Sequence, residues 1–177
     1  KIKLPKNPGD TGWKDILPNR EVNQNLTENL NADYVIIGGG FAGLSAARRL
    51  NQIDKNAKVV LLEACEIGEG PAGRNSGFMI DLPHNLASDD YLGNLEKDLE
   101  QTLVNRSAIE FAKSASDEYQ MPSEAIQHVG KTNAAATKKG MAFNTEYGKH
   151  LTKTGENFKM LDANEMKDLT GIDYYIN

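Results

Sequence analysis

The feature that most constrains this chain is a glycine-rich run, Gly38-Gly39-Gly40-Phe41-Ala42-Gly43, set between stretches of opposite periodicity. Before it stands Tyr34-Val35-Ile36-Ile37, a short apolar run rich in β-branched residues, which reads as a buried strand of a parallel sheet. After it, Phe41 to about Ile53 places Leu44, Ala47 and Leu50 on one side and Arg48-Arg49 on the other, the pattern of an amphipathic helix. Lys58-Val59-Val60-Leu61-Leu62-Glu63 reads as a second buried strand. Strand, helix and strand within about 30 residues make a βαβ unit, which is parallel and right-handed.

The glycine run satisfies G-x-G-x-x-G at a strand-to-helix junction, and each glycine has a physical task. Gly38 makes the tight turn, Gly40 lets a pyrophosphate approach the backbone, and Gly43 lets the helix pack close to the strand. The helix start then offers unpaired N–H groups and the positive end of a dipole to phosphate oxygens. Glu63 follows Gly43 by 20 residues at the end of the next strand, where a carboxylate can accept both hydroxyls of an adenosine ribose. A carboxylate there repels a 2′-phosphate, which disfavours NADP and leaves NAD or FAD. The plain alternative, a glycine-rich turn in an ordinary α/β fold, is disfavoured by the complete βαβ context.

Charge and composition narrow the partners. Across 177 residues, 20 Lys and Arg stand against 25 Asp and Glu, a net charge of −5 that disfavours nucleic acid and anionic membrane. Mean hydropathy is −0.54, and no apolar run approaches the ~18 residues of a transmembrane helix. The single Cys65 can form no internal disulfide and no zinc cluster, which fits a reducing compartment and an expected cytoplasmic location. No apolar segment follows the charged N-terminus, so no secretory signal is expected, and the missing initial Met hints at a processed or trimmed chain.

Along the chain, residues 1–31 are rich in Pro and Asn without apolar period, and read as an extended arm or a disordered tail. Trp13, Ile16 and Leu17 are its candidate anchors. Residues 64–84 form an irregular Gly-rich loop, and Ser88 to about Tyr119 predicts one long helix or two in succession, stopped by Met121-Pro122. A strand is expected at His128–Asn133 and a helix from Lys138 to about Lys153. Asp162 and Glu165 form a capping box that opens a short helix to Thr170, after which Tyr174-Tyr175-Ile176 is strand-like.

The segments Asp33 to Ala47, Leu61-Leu62-Glu63-Ala64, and Ile67-Gly68-Glu69-Gly70-Pro71-Ala72-Gly73-Arg74-Asn75-Ser76-Gly77-Phe78 together resemble the D-amino-acid oxidase superfamily of FAD-dependent oxidoreductases. The resemblance is closest to the branch of glycine oxidase, D-amino-acid dehydrogenase and gamma-glutamylputrescine oxidase. It covers Ala32 to Pro83, less than a third of the chain, and departs mildly at Pro71-Ala72, where a small hydroxylated residue is usual. The implied fold is α/β: a Rossmann-like FAD-binding domain of the glutathione-reductase type with the start of an α+β substrate domain. Residues 32–84 would be the FAD-binding βαβ unit and cofactor loop, and 85–177 a helical segment and incomplete substrate domain. By the same resemblance Gly38, Gly40, Phe41, Ala42 and Gly43 would hold the pyrophosphate, and Glu63 and Ala64 would meet the adenosine. Gly73, Arg74, Asn75, Ser76 and Gly77 would run along the diphosphate toward the flavin.

The implied activity is hydride transfer from the C–N bond of an amine or amino acid to flavin, giving an imine that hydrolyses. A catalytic base is not required of the protein in such chemistry, and no catalytic residue is assigned. The groups that grip substrate lie later in such enzymes, so a second polypeptide or C-terminal half completing the fold is expected. Alternatives are a non-catalytic dinucleotide-binding subunit and an NAD-dependent dehydrogenase. Met79 and Cys65 read as core residues, His84 as a loop residue, His128 and His150 as isolated, and Arg48-Arg49 and Lys138-Lys139 as solvated helix faces; no metal site is expected.

Overall fold

The computed structural model describes Gly9 and residues 11–17, 25–82 and 95–177. The chain divides into two compact units between Phe78 and Met79.

The first unit contains α1 (Gly12–Asp15), β1 (Tyr34–Ile37), α2 (Phe41–Ile53) and β2 (Val59–Leu62), followed by a single 3₁₀ turn at Pro71–Gly73. β1 and β2 pair in parallel, with Tyr34 opposite Val59 and Ile37 opposite Leu62. The ladder continues one step further, where the Gly38 N–H donates to the Leu62 carbonyl at 2.7 Å. This extension brings the glycine turn level with the C-terminal end of β2. α2 ends at Asp54, whose N–H donates to the Leu50 carbonyl. The parallel strand pair and its crossover helix are those expected from the sequence.

The second unit holds α3 (Leu95–Glu118), a 3₁₀ turn at Ser123–Ala125, α4 (Lys138–Thr154) and α5 (Ala163–Thr170). Thr137 caps α4 by accepting from the Gly140 N–H, and Gly155 closes it in the left-handed conformation at φ +77°. That geometry requires no Cβ, and it lets the Glu156 N–H reach back to the Leu151 carbonyl. The capping box of α5 is complete: Asp162 accepts from the Asn164 and Glu165 N–H groups, while Glu165 accepts from the Asp162 N–H. The cap fixes the helix that buries Met166 to 1% exposure. Burying such a side chain contributes about 1.5–3 kcal/mol. Tyr147 and Leu151 of α4 form the centre of this unit's core, with Leu82 and Phe143 packed against them.

Several expectations are corrected. β1 is not buried: Ile37 is 87% exposed and Val35 58%. Among the described residues nothing covers these apolar side chains. Residues 128–133 form no strand, and neither do residues 174–177. Among the described residues the backbone bonds to the terminal segment are two, both at Ala135, which accepts from the Ile176 N–H and donates to the Asn177 carbonyl, too few for a ladder. Arg48 is buried, not solvated, because its long aliphatic stem can be covered while its head stays engaged. Cys65 is exposed, and so is Met79, because the loop carrying each runs along the surface of its unit. The long periodic stretch is one helix over its described part; its expected start at Ser88, and His84, lie outside the described residues.

Candidate functional site

The site is built on the junction between β1 and α2. Gly38 adopts φ +103°, the left-handed region that a side chain resists, and so makes the turn out of the strand. A Cβ on Gly43 would run into the Gly38 carbonyl oxygen and sit 3.3 Å from the Ile36 side chain, so only glycine lets α2 pack this close to β1. Gly40, by contrast, has open space where a Cβ would be. It is the N-cap of α2 and supplies no side-chain cap, so the first helical N–H groups, at Phe41, Ala42 and Gly43, have no intrahelical acceptor. An open cradle of backbone donors at the positive end of a helix suits a diphosphate.

Glu63 stands just past the end of β2 beside this cradle. Its carboxylate accepts from the Gly39 N–H at 2.6 Å through Oε2 and from the Cys65 N–H at 3.2 Å through Oε1. The Gly39 bond, followed by the Cys65 bond, holds the carboxyl below the usual carboxylate range. Two bonds leave acceptor capacity on each oxygen, which is what a ribose diol needs. Ala64 follows directly in the same exposed bend. The residues therefore fit a bound FAD on two counts: an unfilled cradle at Gly40 and an ionised acceptor beside it.

The loop from Glu66 to Gly77 is shaped from within. Gly73 begins its bend where a Cβ would meet the Gly68 carbonyl oxygen. Asn75 donates through Nδ2 to the Ala72 carbonyl at 2.6 Å and accepts through Oδ1 from the Gly77 N–H at 2.7 Å. Arg74 donates from Nε to the Glu69 carbonyl at 2.8 Å and from Nη2 to the Gly9 carbonyl at 2.6 Å. Ser76 is exposed. The guanidinium thus binds protein carbonyls of the loop and the arm, a role its spacing in the sequence does not reveal.

The N-terminal arm docks on this same loop through Trp13. Its indole N–H donates to the Asn75 carbonyl at 2.7 Å. Trp13 itself stays 46% exposed, and Ile16 and Leu17, the other two candidate anchors, are more exposed still.

In the second unit an open cavity of about 430 Å3 is lined by Arg106, Lys131, Asn144, Tyr147 and Phe158 among others. Arg106 bridges Asp81 at 2.9 Å and Glu156 at 2.7 Å, and the Glu156 bond, then the Asp81 bond, raises its already high pKa. Partial burial pulls the Lys131 ammonium down, opposed by the charge of Asp81. No sequence signal marked this cavity, since its walls come from segments scattered between Asp81 and Asn177. His150 is not isolated as expected: its Nε2 lies 3.2 Å from Asp98 Oδ2, a pairing between α4 and α3 that linear spacing cannot show. Among the described residues no group of acidic, His or Cys side chains could hold a metal ion. None of the described helices is long and apolar enough to cross a membrane.

The chain is 38% identical over 73 residues to an oxidoreductase named OrdL from Rhizobium meliloti, covering 41% of this chain and 17% of that protein. It is 28% identical over 155 residues to the Haemophilus influenzae oxidoreductase OrdL, covering 85% of this chain and 35% of the relative. Gamma-glutamylputrescine oxidoreductase of Escherichia coli is 41% identical over 56 residues, covering 32% of this chain and 13% of that enzyme. The chain therefore spans about a third or less of the length of these relatives. No solved structure matches it. The family described as FAD dependent oxidoreductase matches residues 33–175, which contain the glycine cradle, Glu63 and the loop. The chain belongs to the FAD dependent oxidoreductase family, and its cofactor is FAD.

Proposed function

We propose that this chain supplies the FAD-binding part of an oxidoreductase acting on the C–N bond of an amine or amino acid. The observation that carries the reading is the open backbone cradle at Gly40 beside the ionised Glu63. In it, the N–H groups of Phe41, Ala42 and Gly43 receive the diphosphate, Gly38 sets the turn, and Glu63 with Ala64 receives the adenosine ribose. Gly73, Arg74, Asn75, Ser76 and Gly77 form a rigid edge along the cofactor, Arg74 by bracing the loop and the others by exposing backbone and small side chains. Bound FAD supplies the two-electron acceptor for the substrate's hydride. The protein's part is to fix the cofactor, exclude the NADP 2′-phosphate at Glu63, and orient the amine.

The choice of amine is supported by the Escherichia coli relative, whose name specifies gamma-glutamylputrescine. The reading assigns the substrate-gripping groups to residues outside this chain, on a continuation of it or on a second polypeptide.

The test is a visible spectrum of the purified protein, with an intact-mass spectrum of the same sample, followed by anaerobic addition of primary and secondary amines, amino acids and 2-hydroxy acids. Flavin absorption that bleaches with amines alone is expected. A protein that stays colourless after reconstitution with FAD, or that bleaches only with hydroxy acids, overturns the proposal.

A further inference from the structure

We propose that the N-terminal segment carrying Gly9, Thr11, Trp13 and Lys14 is a clasp that sets the conformation of the cofactor loop, with Trp13 and Lys14 as its positioning residues. The inference rests on the reading of residues 66–77 as the loop that borders FAD. Three contacts tie the segment to that loop at separate points. Lys14 Nζ lies 2.9 Å from Glu69 Oε1 and 3.1 Å from Glu66 Oε2, at the loop's start. The Gly9 carbonyl accepts from Arg74 Nη2 at 2.6 Å, in its later part. Trp13 donates to the Asn75 carbonyl at 2.7 Å, at its end.

The indole also lies flat enough on Gly77 that a Cβ there would sit 3.1 Å from Cζ2 and 3.3 Å from Cη2. Gly77 is at φ +80°, so the backbone under the ring is both bare and in a conformation other residues resist. Glu69 shows why the clasp has force. Its side chain is 12% exposed and faces two cations, Lys14 from the arm and Arg74 from the loop at 3.5 Å. Removing Lys14 leaves that carboxylate with less compensation in a covered place. Thr11, itself buried, accepts from the Lys14 N–H at 3.1 Å and so holds the short α1 that presents Trp13 and Lys14 side by side.

A loop held near its start and near its end has less conformational freedom to lose when a ligand binds it. The clasp therefore raises cofactor affinity without touching the cofactor.

The test uses the flavin-loaded protein and its flavin-stripped form, as wild type, Trp13→Ala, Trp13→Phe, Lys14→Met and Glu63→Gln. Two quantities are read: the rate of proteolytic cleavage within residues 66–77 of the stripped protein, and the dissociation constant for FAD. For Trp13→Ala we expect both to rise by about tenfold, with Lys14→Met in the same direction. Trp13→Phe, which keeps a ring on Gly77 and loses the N–H, should recover part of each change, a rescue that a merely destabilised fold would not give. Unchanged cleavage in Trp13→Ala and Lys14→Met overturns the clasp, whatever happens to FAD. Faster cleavage with unaltered FAD affinity overturns the link between loop and cofactor. Glu63→Gln separates the two levels: weaker FAD binding with unchanged cleavage upholds the cofactor site even where the clasp fails. A wild-type protein that binds no FAD removes the site reading and with it the clasp's effect on affinity.

Discussion

A single missing methyl group at Gly43 decides how closely α2 can approach β1. Adding one, in Gly43→Ala, drives carbon into the Gly38 carbonyl, which the strand ladder holds in place. The expected cost is about 2–3 kcal/mol, seen as a lowered denaturation midpoint, together with loss of FAD binding. A variant as stable as the wild type would show that the helix can shift without harm. Glu63 carries a pH dependence whose sign follows from its backbone bonds. Its folded-state pKa lies below the unfolded value, so its contribution is complete above the unfolded pKa and is lost as pH falls through the folded one. Stability of the wild type relative to Glu63→Gln, measured by urea titration at a series of pH values, should therefore shrink on acidification below the ordinary carboxylate range. A difference independent of pH would sink this account. At this scale the sequence was legible where the reason for a residue is local. Gly38, Gly40, Gly43 and Glu63 are set by a strand, a turn and a helix in direct succession. The burial of Arg48 and the pairing of His150 with Asp98 depend on tertiary neighbours, and no local pattern encodes them.

Elements divide in the same way. α2 and α4 were readable from their period, and α5 from its cap as well, down to the reciprocal bonds of Asp162 and Glu165. Asp162→Ala removes the acceptor for two N–H groups of α5 and should cost about 1 kcal/mol. Chemical denaturation should show it as a shifted midpoint with an unchanged slope, and an unshifted midpoint would mean that tertiary contacts of Met166 alone hold the helix. The strand expected at 128–133 failed for the complementary reason. A strand is completed by a partner edge, and its residues alone cannot guarantee one. The seat of Trp13 on the loop was only half legible: an aromatic in a polar arm announces an anchor, while its socket at Asn75 and Gly77 lies far along the chain.

Across the whole molecule, the buried apolar side chains among the described residues, Ala135, Tyr147, Leu151 and Met166, all lie in the second unit. The first unit displays Val35, Ile37, Phe41 and Phe78, and the second also exposes Leu103, Val104 and Val129. Such a surface binds apolar dyes, and the 177-residue chain produced by itself should enhance the fluorescence of anilinonaphthalene sulfonate. An unresponsive chain would mean that these side chains are covered in solution. Family membership was legible from the cradle and loop alone, and the comparisons extend it over residues 33–175. The second unit's own chemistry was not, because its cavity draws on residues from Asp81 to Asn177 with no shared motif.

The pairing of Tyr34 with Val59 closes over a short stretch of chain, and every residue of the cradle precedes Phe78. Synthesis runs from the N-terminus at about 5–20 residues per second, so the second unit follows the first off the ribosome by roughly 5–20 s. Strand pairing over so short a crossover is far faster than that. A stalled nascent chain exposing the first unit, assayed for flavin retention, reads the consequence directly. On the proposed reading of the cradle, the order of translation lets FAD act as a folding template, its nucleotide end seated on the first unit before the second has been made.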